Sequence, residues 1–102
     1  MVQPRTELQM VLEGVLGTKN VYFQPPPNIR MEYPAIVYNL EHDHVQYADD
    51  MGYVVYRRYH VSVIDRNPDS PIAERMRKLR HCNFSNMFAV DGLNQFNFTL
   101  YF

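Results

Sequence analysis

The chain has 102 residues, of which 46% are hydrophobic, 14% aromatic and 21% charged, with a formal net charge of -1. This is the length of one domain with enough apolar material for a core, so an acidic disordered chain is excluded, and the near-zero charge excludes a general polyanion binder. The single Cys82 permits neither an intrachain disulfide nor a cysteine zinc cluster, and no stretch nears the roughly 20 apolar residues of a membrane span. The opening MVQPRTELQM has no hydrophobic run of the secretory kind, so the expectation is a product of a reducing cytosol with a buried, inert Cys82 thiol.

In chain order, Leu8, Val11, Leu12, Val15 and Leu16 recur at helical spacing and predict an amphipathic helix over residues 4–16. Pro4 suits its first turn, Thr6 with Gln9 could form a capping box, and Gly17 supplies a C-cap. Val21-Tyr22-Phe23 is a short β-prone run stopped by Pro25-Pro26-Pro27, which favour an extended arm over 24–34. A proline-rich ligand for an SH3-type partner is the alternative reading of that arm.

From Ala35 the period becomes two. Ile36, Tyr38, Leu40, His42 and His44 fall on one face of a strand, and Val37, Asn39, Glu41 and Asp43 on the other. Asp49-Asp50-Met51-Gly52 carries turn chemistry, and Tyr53 to Asp65 is again β-prone, with Tyr53, Val55, Tyr59, Val61 and Val63 sharing a face. Residues 35–66 thus read as a long hairpin whose end reaches beyond the core. Ser70 and Pro71 start a second helix over about 71–80, with Ile72, Met76 and Leu79 inward and Arg75, Arg77 and Lys78 outward. Asp91-Gly92 then turns a hairpin over about 86–102, whose last strand puts Phe96, Phe98, Leu100 and Phe102 on one face. The expected fold is a single α+β domain over 1–102, in the order α-β-β-β-α-β-β. A mostly antiparallel sheet of about 4–5 strands carries two helices on one face.

Chemistry-bearing clusters are sparse. His42 and His44 lie about 7 Å apart on a strand and could hold one divalent metal, but no third ligand is placed by the sequence. No nucleophile stands beside a base, and no phosphate-binding glycine loop occurs, so neither catalytic residues nor a cofactor are expected. Charge is more suggestive. Glu41, Asp43, Asp49 and Asp50 concentrate acidity in the hairpin, while Arg75, Arg77, Lys78 and Arg80 make a basic helix face. Opposed patches of this kind let a nearly neutral chain bind copies of itself head to tail.

An N-terminal helix running into V-Y-F-Q-P-P-P, then Y-P-A-I-V-Y-N-L, then Y-R-R-Y-H-V-S-V-I-D-R-N-P-D-S and a short helix, with F-T-L-Y-F at the end, resembles the small tail-terminator or tail-completion proteins of long-tailed bacteriophages. The resemblance covers nearly the whole chain and rests on packing patterns, with "YPAIVY" and "YHVSVIDRNPDSPI" the most specific. It implies a mixed sheet flanked by helices and a homo-oligomeric ring, commonly a hexamer, that caps the tail tube in the virion neck. It also implies contacts with the tail tube protein and a head-completion or connector protein, with residues 41–52 and the basic helix as subunit contacts. It implies no active-site residues. The chain is shorter than many tail terminators, which keeps a head–tail connector or stopper open. From another class, a small ligand- or metal-binding domain using His42 and His44 also stays open.

Overall fold

The computed structural model describes residues 4–48 and 51–102, with the side chains of 44–48, 51 and 53–56 outside that description. Asp49, Asp50 and His44, named above as site candidates, therefore fall outside the described residues or side chains. Seven elements follow in order: α1 (Arg5–Leu16), β1 (Val21–Phe23), β2 (Ala35–Ala48), β3 (Met51–Asp65), α2 (Pro71–Arg77), β4 (Cys82–Val90) and β5 (Leu93–Tyr101). The strands form one sheet in the order β1-β2-β3-β5-β4, parallel only between β1 and β2. The expected α+β architecture and element order hold.

α1 buries the i, i+4 row Leu8, Leu12 and Leu16, and ends at Gly17, whose φ of 87° is the left-handed conformation glycine tolerates. Val11, expected on that stripe, is 38% exposed, because the helix meets the sheet along a narrower line than its apolar residues span. The capping box does not form: Pro4 occupies the N-cap without a side-chain bond. Gln9 is drawn to Val21 O, to which its Nε2 donates at 3.1 Å, and its Oε1 accepts from the Tyr38 hydroxyl. A buried strand carbonyl and phenol outcompete the exposed helix end for this amide.

The helix face of the sheet is the core. Ile36, Tyr38, Tyr59, Val61, Val63, Phe96, Phe98 and Leu100 are all buried there against α1 and against Ile72, Ala73 and Met76 of α2. Burial of each large side chain contributes about 2 kcal/mol. The passage before α2 is fixed by polar bonds. Asp65 accepts from the Asn67 N–H and from the Ser70 hydroxyl at 2.8 Å, and Ser70 Oγ in turn accepts from the Ala73 N–H. α2 ends three residues earlier than expected. Lys78 and Leu79 bond back three residues, to Arg75 O and Met76 O, in the tighter 3₁₀ manner, and His81 turns out at φ 58°.

Among the described residues the ladders are interrupted by three register shifts, at Leu40/His42, His44/Val45 and Phe84/Asn86, and the first and last change the strand readings. One between Leu40 and His42 sets His42 opposite Arg58, one residue out of step with Tyr59, so His42 leaves the face of Ile36 and Tyr38 on which alternation had put it. The other, between Phe84 and Asn86, hides the alternation of residues 82–90, so β4 begins four residues before the expected 86. Asp91 and Gly92, at φ 53° and 76°, close the β4–β5 turn as a primed two-residue hairpin. Finally, β3 pairs with β5 only from Arg58 onward, with Arg57 bonded to Phe102, so Met51–Tyr56 and the facing part of β2 project as a two-stranded ribbon. The molecule measures 52 × 29 × 22 Å, longest by nearly twofold.

Candidate assembly surfaces

The first surface is the free edge of the sheet. β5 is an inner strand, but β4 is paired on one side only. Its sequence, CNFSNMFAV, contains no charged residue, and every position from Asn83 to Val90 is exposed. Phe84, Met87, Phe88 and Val90 are 41–56% exposed. Pairing places Phe84 and Met87 across from the core residues Phe98 and Phe96, on the helix face, and Phe88 and Val90 on the other. Sheet edges in proteins that stay apart carry charge or proline, or are covered. β4 has a bulge and, over Phe84, the Arg77 side chain of α2, but the strand itself carries neither charge nor proline.

The charged candidates are more self-contained than the sequence suggested. Asp43 Oδ1 pairs with Arg57 Nε at 3.1 Å, and Glu41 lies 3.1 Å from Arg58 Nε and 3.4 Å from His60 Nδ1. The Arg58 contact is electrostatic, since that Nε has no aligned hydrogen-bond acceptor. Both acids are thus answered within the hairpin. On α2, Arg75 donates to Val15 O at 3.0 Å, and Arg77 lies 3.9 Å from Glu74 and 4.3 Å above the Phe84 ring. Lys78 and Arg80 are exposed. α2 therefore presents a cationic flank next to the apolar edge, with Arg77 joining the two.

The sheet face without helices carries a polar network that sequence reading missed. Ser62 Oγ donates to Asn97 Oδ1 at 2.7 Å, Asn97 Nδ2 donates to Asn86 Oδ1 at 2.8 Å, and Gln95 Nε2 reaches Asn97 Oδ1 at 3.0 Å. His60 Nε2 is 3.1 Å from both Ser62 Oγ and Asn97 Oδ1. Beside it lies a shallow recess of about 480 Å³. Glu41, His60 and Ser62 stand in acid–imidazole–hydroxyl order, but the shortest bond of Ser62 carries its proton to the amide. Ser62 and Asn97, only 5% and 3% exposed, are tied to each other across β3 and β5. This arrangement locks strand register, and the alternation of polar residues at 60, 62, 95 and 97 was its visible signal.

Among the described residues no three His, Cys, Asp or Glu side chains converge as a metal site, and His42 is exposed. The Cys82 thiol is pushed up to about 11 by burial, and burial also raises the Tyr38 phenol against the lowering effect of the Arg5 hydrogen bond. No described helix is long and apolar enough to cross a membrane. Comparison with protein-family models, curated proteins and solved structures finds no match.

Proposed function

We propose that this chain is a virion structural protein, a tail terminator or tail-completion subunit of a long-tailed bacteriophage. Copies of it form a ring, six-membered as the resemblance implies, that caps the tail tube and joins it to the head through a head-completion or connector protein. The observation that carries the assembly role is β4, a nine-residue free edge without charge whose Phe84, Met87, Phe88 and Val90 stand exposed. Apolar, hydrogen-bond-competent edges gain by pairing with another chain. The projecting β2–β3 ribbon supports the same reading, since it offers reach beyond the core that folding alone does not require. The phage assignment rests on the sequence pattern, whose most specific passages are the proline segment with YPAIVY and the strand-to-helix run YHVSVIDRNPDSPI; within the latter, Asp65 to Ser70 forms a turn and capping motif.

Size-exclusion chromatography with light scattering tests the reading, followed by electron microscopy of the same fractions with and without purified tail tubes. The expected result is a discrete ring whose mass is a multiple of 12.1 kDa, formed alone or on tube ends. A chain that stays monomeric in both conditions contradicts it.

A further inference from the structure

We infer that the sheet continues from one copy to the next, β4 of each subunit pairing antiparallel with β1 of its neighbour; this rests on the ring reading above and specifies its joint. β4 and β1 are the two edges of one sheet. Following the pairings across all five strands, Phe84 shares a row with Phe98, Val61, Tyr38 and Phe23, and Met87 shares a row with Phe96, Val63, Ile36 and Val21. The two edges thus stand level. A neighbour that moves sideways across the strands, with no slide along them, brings Phe84 to Phe23 and Met87 to Val21. Repeated with rotation about an axis along the strands, that step closes a ring, whereas a slide would wind a helix.

Direction, hydrogen-bond phase and side-chain face agree as well. β1 is parallel to β2, and the three antiparallel pairings that follow leave β4 running opposite to β1. Ile36 N–H bonds to Asn20 O and Gln24 N–H to Tyr38 O, so β1 gives its even residues to β2 and turns the backbone groups of Val21 and Phe23 outward. Gln9 covers one of them, the Val21 carbonyl. On β4, the Tyr101 N–H bond to His81 O marks that pair as hydrogen-bonded, so Cys82 and Phe84 face outward. The two-residue turn does the same for Ala89 and Met87. Outward Phe84 therefore meets outward Phe23, and both rings lie on the helix side of the sheet.

Charge selects this neighbour over a second β4. A two-fold β4–β4 joint sets two α2 helices and the turns after them side by side on one face, each with Arg75, Arg77, Lys78 and Arg80 against one acid, Glu74. The β1 side instead brings up α1, which carries Glu7 and Glu13 against one cation, Arg5. The joint is short, because Pro25, Pro26 and Pro27 end the β1 edge.

Disulfide trapping tests the joint in a Cys82→Ser background, read on non-reducing gels beside light scattering of the wild type. The double variant Phe23→Cys, Phe84→Cys is expected to give a ladder from dimer up to the closed ring, with each single variant silent. Dimers from Phe84→Cys alone would establish the two-fold joint and overturn the inference. A wild-type ring with no ladder in the double variant, its circular dichroism unchanged, would also overturn it while leaving the ring standing. A wild type without any ring, alone or on tube ends, removes the reading on which the inference rests. If the double variant misfolds, trapping between the two single variants, mixed, replaces it and must give dimers.

Discussion

β4 and β5 are neighbours of equal length, nine residues each, hydrogen-bonded to one another, and both rich in phenylalanine. Their environments are opposite. Phe96, Phe98 and Leu100 of β5 are at most 5% exposed, while Phe84, Met87, Phe88 and Val90 of β4 are 41–56% exposed. Apolar composition alone therefore does not say what a strand is for. Position in the sheet does: β5 is an inner strand whose apolar row is buried in the core shared with both helices, whereas β4 is an edge strand that α2 touches only in part, as where Arg77 lies over Phe84, and the rest of its apolar area is left for another chain.

Substitutions in the two strands should separate these roles. The largest effect is expected from Phe98→Ala, which opens a cavity in the core beside Val61 and removes the ring against which Phe84 packs, and should cost about 3–5 kcal/mol in denaturant unfolding. Asp65→Ala should come next, at about 1–3 kcal/mol, since it orphans the buried Ser70 hydroxyl and frees the turn before α2. Met87→Lys should change stability by less than about 0.5 kcal/mol, because the side chain already meets solvent, yet should abolish assembly by placing a charge on the joint. If Met87→Lys unfolds the chain as Phe98→Ala does, the distinction between the strands fails.

The last expectation is a pH dependence in the alkaline range. Burial holds the Cys82 thiol protonated up to about 11 in the folded chain against 9.0 when exposed, and Tyr38 shifts in the same direction. The folded state therefore binds more protons than the unfolded one in that window, so stability is full below about pH 9 and declines as pH rises toward 11. Thermal melts across this range should show the decline, reduced in Cys82→Ser. Alkylation of Cys82 at pH 8 should be slow until the chain is unfolded.

Much of the fold was legible because its signals are local. The phenylalanine row of β5, the Ser70-Pro71 helix start and the Asp91-Gly92 turn each need only a few adjacent residues. The bulges were not legible: nothing in Leu40-Glu41-His42 or Phe84-Ser85-Asn86 announces an extra residue, and each reverses the faces beyond it. Alternation alone therefore puts His42 on the face of Tyr38 and starts β4 too late. The acidic and basic clusters are visible in composition, but their partners are not, since only the ladder brings Arg57 to Asp43 and Arg58 to Glu41. The edge itself was not visible: residues 82–90 carry no charge, but neither do residues 20–29 or 92–102. That β4 is an outer strand follows only from the pairing order.

The central claim, that β4 is an assembly edge, is tested most directly by the solution mass of the wild type beside Met87→Lys, with thermal midpoints taken on the same samples. The account predicts a discrete oligomer for the wild type, alone or on tube ends, and a 12.1 kDa monomer for the variant, which still unfolds cooperatively with its midpoint lowered only by the stabilisation that assembly adds. An unchanged oligomer in the folded Met87→Lys variant would contradict it.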